Sequence, residues 1–344
     1  MPIAMLVDEV ARVAVALLPV LLFLAALRFL DSYKLVPQRR VLAALAAGAA
    51  AAGVCFAFHT AIVQQFPAYQ DQYAALGAPA AEELAKAAYW IFLIATARVA
   101  FMVDSAICGF AVGAGFAVAE NIFYLRILEN QTIAIWLMRG FVTAMMHGGV
   151  AALGASISVY LSESRQWRGV RLFAPGLFTA MVLHSLFNQG VLSPVASAVA
   201  AVAGIPLILA LVFYFSERSL RQWLGGKLDN DIDMLSMIAD SEFQKSRPGA
   251  YLLSLNEAFP PEVRGDMLSL LQLTIELSVR AKSDLLFLEA GLTVPPDPEL
   301  EANLRELQYL EKSIGPVGML AIRPLLAQTP RDLWEIHSLQ HGQR

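Results

Sequence analysis

Eight polar side chains lie within otherwise apolar stretches of this sequence, and their types suit acid–base work or metal ligation. They are Glu82, Glu83 and Lys86, then Glu120 and Asn121, then His147, then His184 and Asn188. An ionisable group at the centre of a membrane helix costs roughly 2.5–3.5 kcal/mol on insertion scales, so its default reading is functional. Glu82 and Glu83 stand at i, i+4 and i, i+3 from Lys86, which lets the ammonium neighbour part of the carboxylate pair. The two glutamates diverge by about 100° around a helix and therefore do different work. His184 and Asn188, at i, i+4, share a face as two donors aimed at one point would. If all eight merely glued helices together, Ser, Thr or Asn would be the more natural choice.

The elements that carry these groups read as membrane spans. Of 344 residues 57% are hydrophobic and only 16% charged, and the mean hydropathy of +0.57 is too high for an ordinary soluble domain. Seven apolar runs, at about 10–30, 41–63, 79–100, 105–127, 132–160, 172–192 and 195–215, are long enough to cross a bilayer. The expected fold is all-α, a polytopic membrane helical bundle of about seven or eight transmembrane helices with a C-terminal soluble helical domain. Small residues should let the helices approach closely: Gly109 and Gly113 with GxxxG spacing, and Gly148, Gly149, Ala152 and Gly154 after His147. Pro79 suits the first turn of the run that carries the glutamates.

Loop charge sets the expected orientation. Lys34, Arg39 and Arg40 follow the first run, Arg98 the third, Arg165, Arg168 and Arg171 the fifth, and Arg218, Arg221 and Lys227 the seventh, whereas residues 64–78 and 190–194 contain no Lys or Arg. Positive loops favour the cytoplasm, so the N-terminus is expected outside and the C-terminus inside. The first run lacks a positive n-region and a small-residue cleavage signature and reads as an uncleaved helix. The intramembrane groups then fall between mid-membrane and the outer face.

Beyond Phe215 the composition turns polar, with punctuation at Gly225-Gly226, Pro260-Pro261 and Pro295-Pro296. We divide the chain into a membrane core, 1–218, and a cytoplasmic helical domain, 219–344. Helical spacing of apolar residues at Met267–Leu273 and Leu300–Leu307 supports amphipathic helices there. This region shows no zinc-ligand spacing and no phosphate loop, so we expect it to bind a cytoplasmic partner or control assembly. His337 and His341 read as a solvated terminus, and Asn130-Gln131-Thr132 fits a glycosylation sequon against the membrane. Cys55 and Cys108 read as small buried hydrophobes, and no basic run suits nucleic acid.

Written as motifs, the chain shows EExxK at Glu82–Lys86, FxxxEN at Phe116–Asn121, a central His147 and HxxxN at His184–Asn188. In order and placement this resembles the PrsW family of intramembrane proteases, related to the CAAX prenyl-protease and Abi group, over residues 30–215. In the CAAX relatives the first motif typically ends in Arg, and the second carries His where this chain has Glu120. The resemblance implies hydrolysis of a peptide bond in a membrane-anchored protein within or beside the bilayer, with a bacterial inner membrane as the setting.

Two versions of the chemistry remain open. In one, Glu82 or Glu83 activates water, Glu120 and His147 orient it, and His184 with Asn188 stabilises the oxyanion. In the other, Glu83, Glu120, His147 and His184 form the two-carboxylate, two-imidazole set that zinc accepts. A rhomboid-like Ser156/His184 dyad leaves both glutamates unexplained, and there is no HExxH. From a different class, a proton- or ion-coupled carrier would use the same carboxylates and histidines.

Overall fold

The computed structural model describes residues 3–128, 131–240, 242–326 and 329–340, and among these no strand forms. Seven long helices come first: α1 (Ile3–Leu30), α2 (Gln38–Gln65), α3 (Ala78–Ala95), α4 (Met102–Ile127), α5 (Ile133–Arg165), α6 (Val170–Asn188) and α7 (Pro194–Ala239). All but α3 are long and apolar enough to cross a membrane by length and composition. The run expected at 79–100 is α3, whose 18 residues carry Glu82, Glu83 and Lys86. It stops at Ala95, ahead of the expected 100, because Ala97 turns to positive φ. Asp104 then accepts from the backbone N–H groups of Ala100, at 3.1 Å, and Phe101, at 2.9 Å, satisfying donors at the start of α4. Gly225 and Gly226, expected to punctuate the chain, lie within α7 without breaking it.

The chain divides into two compact units. One contains the residues up to Asp31 together with Leu35–Glu217, the other Ser32–Lys34 with the residues from Arg218 onward. In the first unit α4 and α5 are the inner pair: 83% of each apolar window is buried, against 22% for α1, α2 and α6. The sequence allows this because the facing residues are small. A Cβ built on Gly113 would stand 2.1 Å from the His147 carbonyl oxygen, and one on Gly109 2.7 Å from that of Ala151. The same absence of a side chain that packs α4 on α5 therefore sets where His147 sits.

The second unit adds α8 (Arg247–Ser254), α9 (Pro261–Glu289), α10 (Leu300–Ile322) and α11 (Pro330–Gln340). Met267, Leu270, Leu271 and Leu273 of α9 and Leu307, Leu310 and Ile314 of α10 meet in its apolar core, as helical spacing predicts. Beside that core Lys282 is buried, with its Nζ 2.5 Å from Glu335, 2.9 Å from Asp231 and 2.6 Å from the Ser278 hydroxyl. His337 lies on α11, whereas His341 and the sequon's Asn130 fall outside the described residues.

Gly113→Ala should lower the thermal stability of the detergent-solubilised protein by about 1–3 kcal/mol, the usual cost of overpacking. Gly53→Ala, on α2 with nothing within 4 Å of the added carbon, should leave it near wild type. In the second unit, burial pushes the Glu335 carboxyl up to about 7 although Lys282 opposes the shift. A folded-state value above the ordinary 4.5 means that this group's contribution is fully present below pH 4.5 and is lost as pH rises through about 7. Thermal midpoints measured from pH 5 to 8 should fall more steeply for wild type than for Glu335→Gln.

Candidate active site

Consecutive residues of α3 face different partners. Glu83 and Lys86, both buried, form an i, i+3 ion pair, and the Lys86 ammonium also reaches His147 Nδ1 on α5 at 3.1 Å. The ammonium lies 4.8 Å from the centroid of Phe116 on α4, within cation–π range. Behind this pair, Glu83 Oε1 stands 2.7 Å from His184 Nδ1 on α6. A carboxylate accepts only, so this contact places the proton on Nδ1 and leaves Nε2 with its lone pair. That nitrogen faces Glu82 Oε2 at 3.8 Å. His147 Nε2 meets Glu120 Oε2 of α4 at 3.2 Å, and the two imidazole rings stand edge to face at 4.8 Å.

Five of the six residues expected to do chemistry therefore converge: Glu82, Glu83, Glu120, His147 and His184. Asn188 does not join them; it is exposed and its amide donates to the Ala74 carbonyl at 3.4 Å. One ligand atom from each of Glu82, His147 and His184 lies within 4.8 Å of the others. The zinc set expected from the sequence, Glu83, Glu120, His147 and His184, shares only its two histidines with this group; Glu83 lies on the far side of the His184 ring, where it orients the imidazole, and Glu120 stands at His147 Nε2. Ser156, the serine of the rhomboid-like alternative, donates to the Ala152 carbonyl of its own helix at 2.8 Å, while His184 is engaged by Glu83.

Three partners escaped the sequence reading. His59 of α2 approaches Glu82 Oε1 at 3.2 Å through Nε2, and Tyr73 at 2.6 Å through Nδ1. Arg139 of α5 approaches Glu120 Oε1 at 3.2 Å, and its Nε donates to Asn121 at 3.2 Å. Asn121 in turn donates to the Ala16 carbonyl at 2.9 Å, so it anchors the arginine to α1. The available signals were a histidine inside an apolar run and an arginine within an expected span. Beside the cluster lies a cleft of about 580 Å³ between α2 and α4, lined by Ala49, Ala52 and Gly53 and by His59, Glu82 and Glu120. Glu82, with 13% of its side chain exposed, lines this cleft, whereas Glu83, at 2%, does not.

Residues 36–216, just over half the chain, match the family model described as PrsW family intramembrane metalloprotease. The chain belongs to the PrsW family. No curated protein and no solved structure matches it. As a PrsW family member it is an intramembrane protease, which implies a membrane-anchored protein substrate and a lipid surround. The metal in the family's description suits the donors present, since two imidazoles and a carboxylate converge and the His184 Nδ1 contact with Glu83 directs Nε2 inward. His147 contacts Lys86 and Glu120 through its two nitrogens, so ligation through Nε2 requires that atom to be free of its proton.

Removing one partner of a buried ion pair leaves an uncompensated charge. Lys86→Met should therefore destabilise the protein by about 3–5 kcal/mol, and adding Glu83→Gln should recover much of the loss. Thermal unfolding of both variants in the same detergent checks this, and a double variant no more stable than Lys86→Met would contradict it.

Proposed function

We propose that this PrsW family member hydrolyses its membrane-anchored substrate beside Glu82, with the cleaved segment seated in the cleft between α2 and α4. The observation that carries this reading is that Glu82 both lines the cleft and belongs to the Glu82, His147 and His184 donor group. A peptide backbone must leave its helical hydrogen bonding to expose a carbonyl, and the Ala49, Ala52 and Gly53 wall leaves room for such a strand.

Glu82, His147 and His184 are the residues that would hold a zinc ion. Bound there, it would polarise the scissile carbonyl and lower the pKa of an attacking water. The remaining roles belong to the chain itself. Glu83 fixes the tautomer and direction of His184, and Lys86 neutralises Glu83. Lys86 and Glu120 occupy the two nitrogens of His147, and a zinc ion held by His147 would replace one of these contacts. The metal-free alternative is favoured by the contacts of both His147 nitrogens with Lys86 and Glu120; in it, Glu82 itself takes the proton from water. We assign Glu82 rather than Glu83 the role next to substrate in either version.

The loop charges support an N-terminus outside, a cytoplasmic C-terminus and a reaction in the outer half of the bilayer. In this arrangement residues 219–344 lie in the cytoplasm and serve partner binding or assembly.

The test uses full-length protein in vesicles with a panel of membrane-anchored reporters. Glu82→Ala and His184→Ala should each lower the cleavage rate by about 10²–10⁴-fold, the range that proton transfer by a positioned group contributes. Cleavage should stop after chelation and return with zinc. Full activity in demonstrably metal-free protein selects the metal-free version, and undiminished cleavage by Glu82→Ala overturns the assignment of Glu82.

A further inference from the structure

On the side of Glu82 away from the two active-site histidines, α2 and the segment that follows it present a second built feature. His59 sits one turn after Cys55, whose Sγ lies 3.9 Å from the Ala81 carbonyl, so one face of α2 runs against the start of α3 at the glutamates. His59 Nε2 reaches Glu82 Oε1 at 3.2 Å while its Nδ1 meets the Tyr73 hydroxyl at 2.6 Å. Tyr73 opens the single wide helical turn Tyr73–Gly77 that leads directly into α3. Its ring occupies space that a side chain at Gly77 would need: a Cβ there would stand 2.4 Å from Tyr73 Cδ2.

The chemistry of these contacts is directional. A neutral imidazole carries one proton, and a carboxylate can only accept, so the contact with Glu82 places that proton on Nε2. Nδ1 is then an acceptor, which the tyrosine hydroxyl satisfies by donating. Tyr73 thus selects the tautomer of His59 that holds Glu82. With Oε1 taken from this side, Oε2 is left facing His184 Nε2 at 3.8 Å.

We propose that His59 and Tyr73 form a positioning pair that fixes the Glu82 carboxylate in the orientation used by the site, with Gly77 providing room for the tyrosine ring. The proposal rests on the assignment of Glu82 above. His59 touches Glu82 through Oε1 and acts on the rest of the donor group through that carboxylate. The pair also ties the turn of Tyr73–Gly77 to the active carboxylate, so displacement of that turn is felt at Glu82.

The experiment compares full-length wild type, His59→Phe, His59→Gln, Tyr73→Phe, Gly77→Ala and the His59→Phe/Tyr73→Phe double variant. Cleavage of a membrane-anchored reporter gives kcat and KM, zinc titration of chelator-stripped protein gives a binding constant, and thermal unfolding monitors the fold. His59→Phe should lower kcat, and zinc affinity where zinc binds, by about 10–100-fold, the usual cost of losing an outer partner, with KM within about twofold. The amide of His59→Gln can still donate to Glu82, and this variant should regain most of the loss. Tyr73→Phe and Gly77→Ala should each lower kcat by a smaller, similar factor, and Tyr73→Phe should add nothing to His59→Phe.

A His59→Phe protein with wild-type kcat overturns the proposal. So does a His59→Gln protein as impaired as His59→Phe, or a loss in kcat that merely follows a loss of folded protein. Glu82→Ala, measured alongside, separates the two questions. Full activity in that variant refutes the catalytic assignment itself, whereas inactive Glu82→Ala with unaffected His59→Phe refutes the positioning pair alone.

Discussion

Placing three carboxylates inside an apolar bundle is the constraint on which the rest of the first unit depends. Each ion removed from water costs several kcal/mol unless its lone pairs are met by well-placed donors or opposite charge. Two of the glutamates are met from two directions and the third from one. Glu83 lies between Lys86 and His184, Glu120 lies between Arg139 and His147, and Glu82 meets His59 through Oε1 while its Oε2 faces the unprotonated Nε2 of His184 at 3.8 Å. The glutamates and these partners come from α2, α3, α4, α5 and α6, so the network that makes the charges tolerable also decides how five successive helices are aligned. A network of this kind works only when complete, because a single orphaned charge in low dielectric destabilises the whole arrangement.

Packing supplies what electrostatics alone cannot. The approach of α4 to α5 is close enough that no side chain fits at Gly113, and this brings the backbone of His147 against α4. Glu120 and His147 can then meet at 3.2 Å although they lie on different helices. The outer helices leave much of their surface toward lipid. Between α2 and α4 they leave a cleft beside the charges, and that combination suits a protease of membrane-anchored substrates: a low-dielectric path for the substrate next to groups that stay polar. The helices of the second unit solve a simpler problem around an ordinary apolar core, with one buried lysine matched by Asp231 and Glu335.

How much of this could be read from the chain follows from the range of each interaction. The helices were legible because twenty or so apolar residues in a row have one good solution in a bilayer, and that solution is local. The pairing of Glu83 with Lys86 was legible too, since a spacing of three residues puts both on one side of a helix. Glu82, Glu83, Glu120, His147 and His184 stood out because charge and imidazole are costly in apolar runs. The end of α3 and the continuity of α7 through Gly225 and Gly226 were less readable, because capping by Asp104 and helical context override what a glycine or an apolar run suggests by itself.

The sequence by itself determined the class of the protein, its helical membrane core and the chemical types at its centre, because burial cost and helical periodicity act over a few turns of one chain. Only the tertiary structure decided which glutamate faces the cleft, that Glu83 stands behind His184, that Asn188 turns instead to Ala74, and that His59 and Arg139 complete the site. Those outcomes depend on the rotation and separation of neighbouring helices, which residues such as Gly113 set through contacts with segments distant in sequence. No local spacing encodes them.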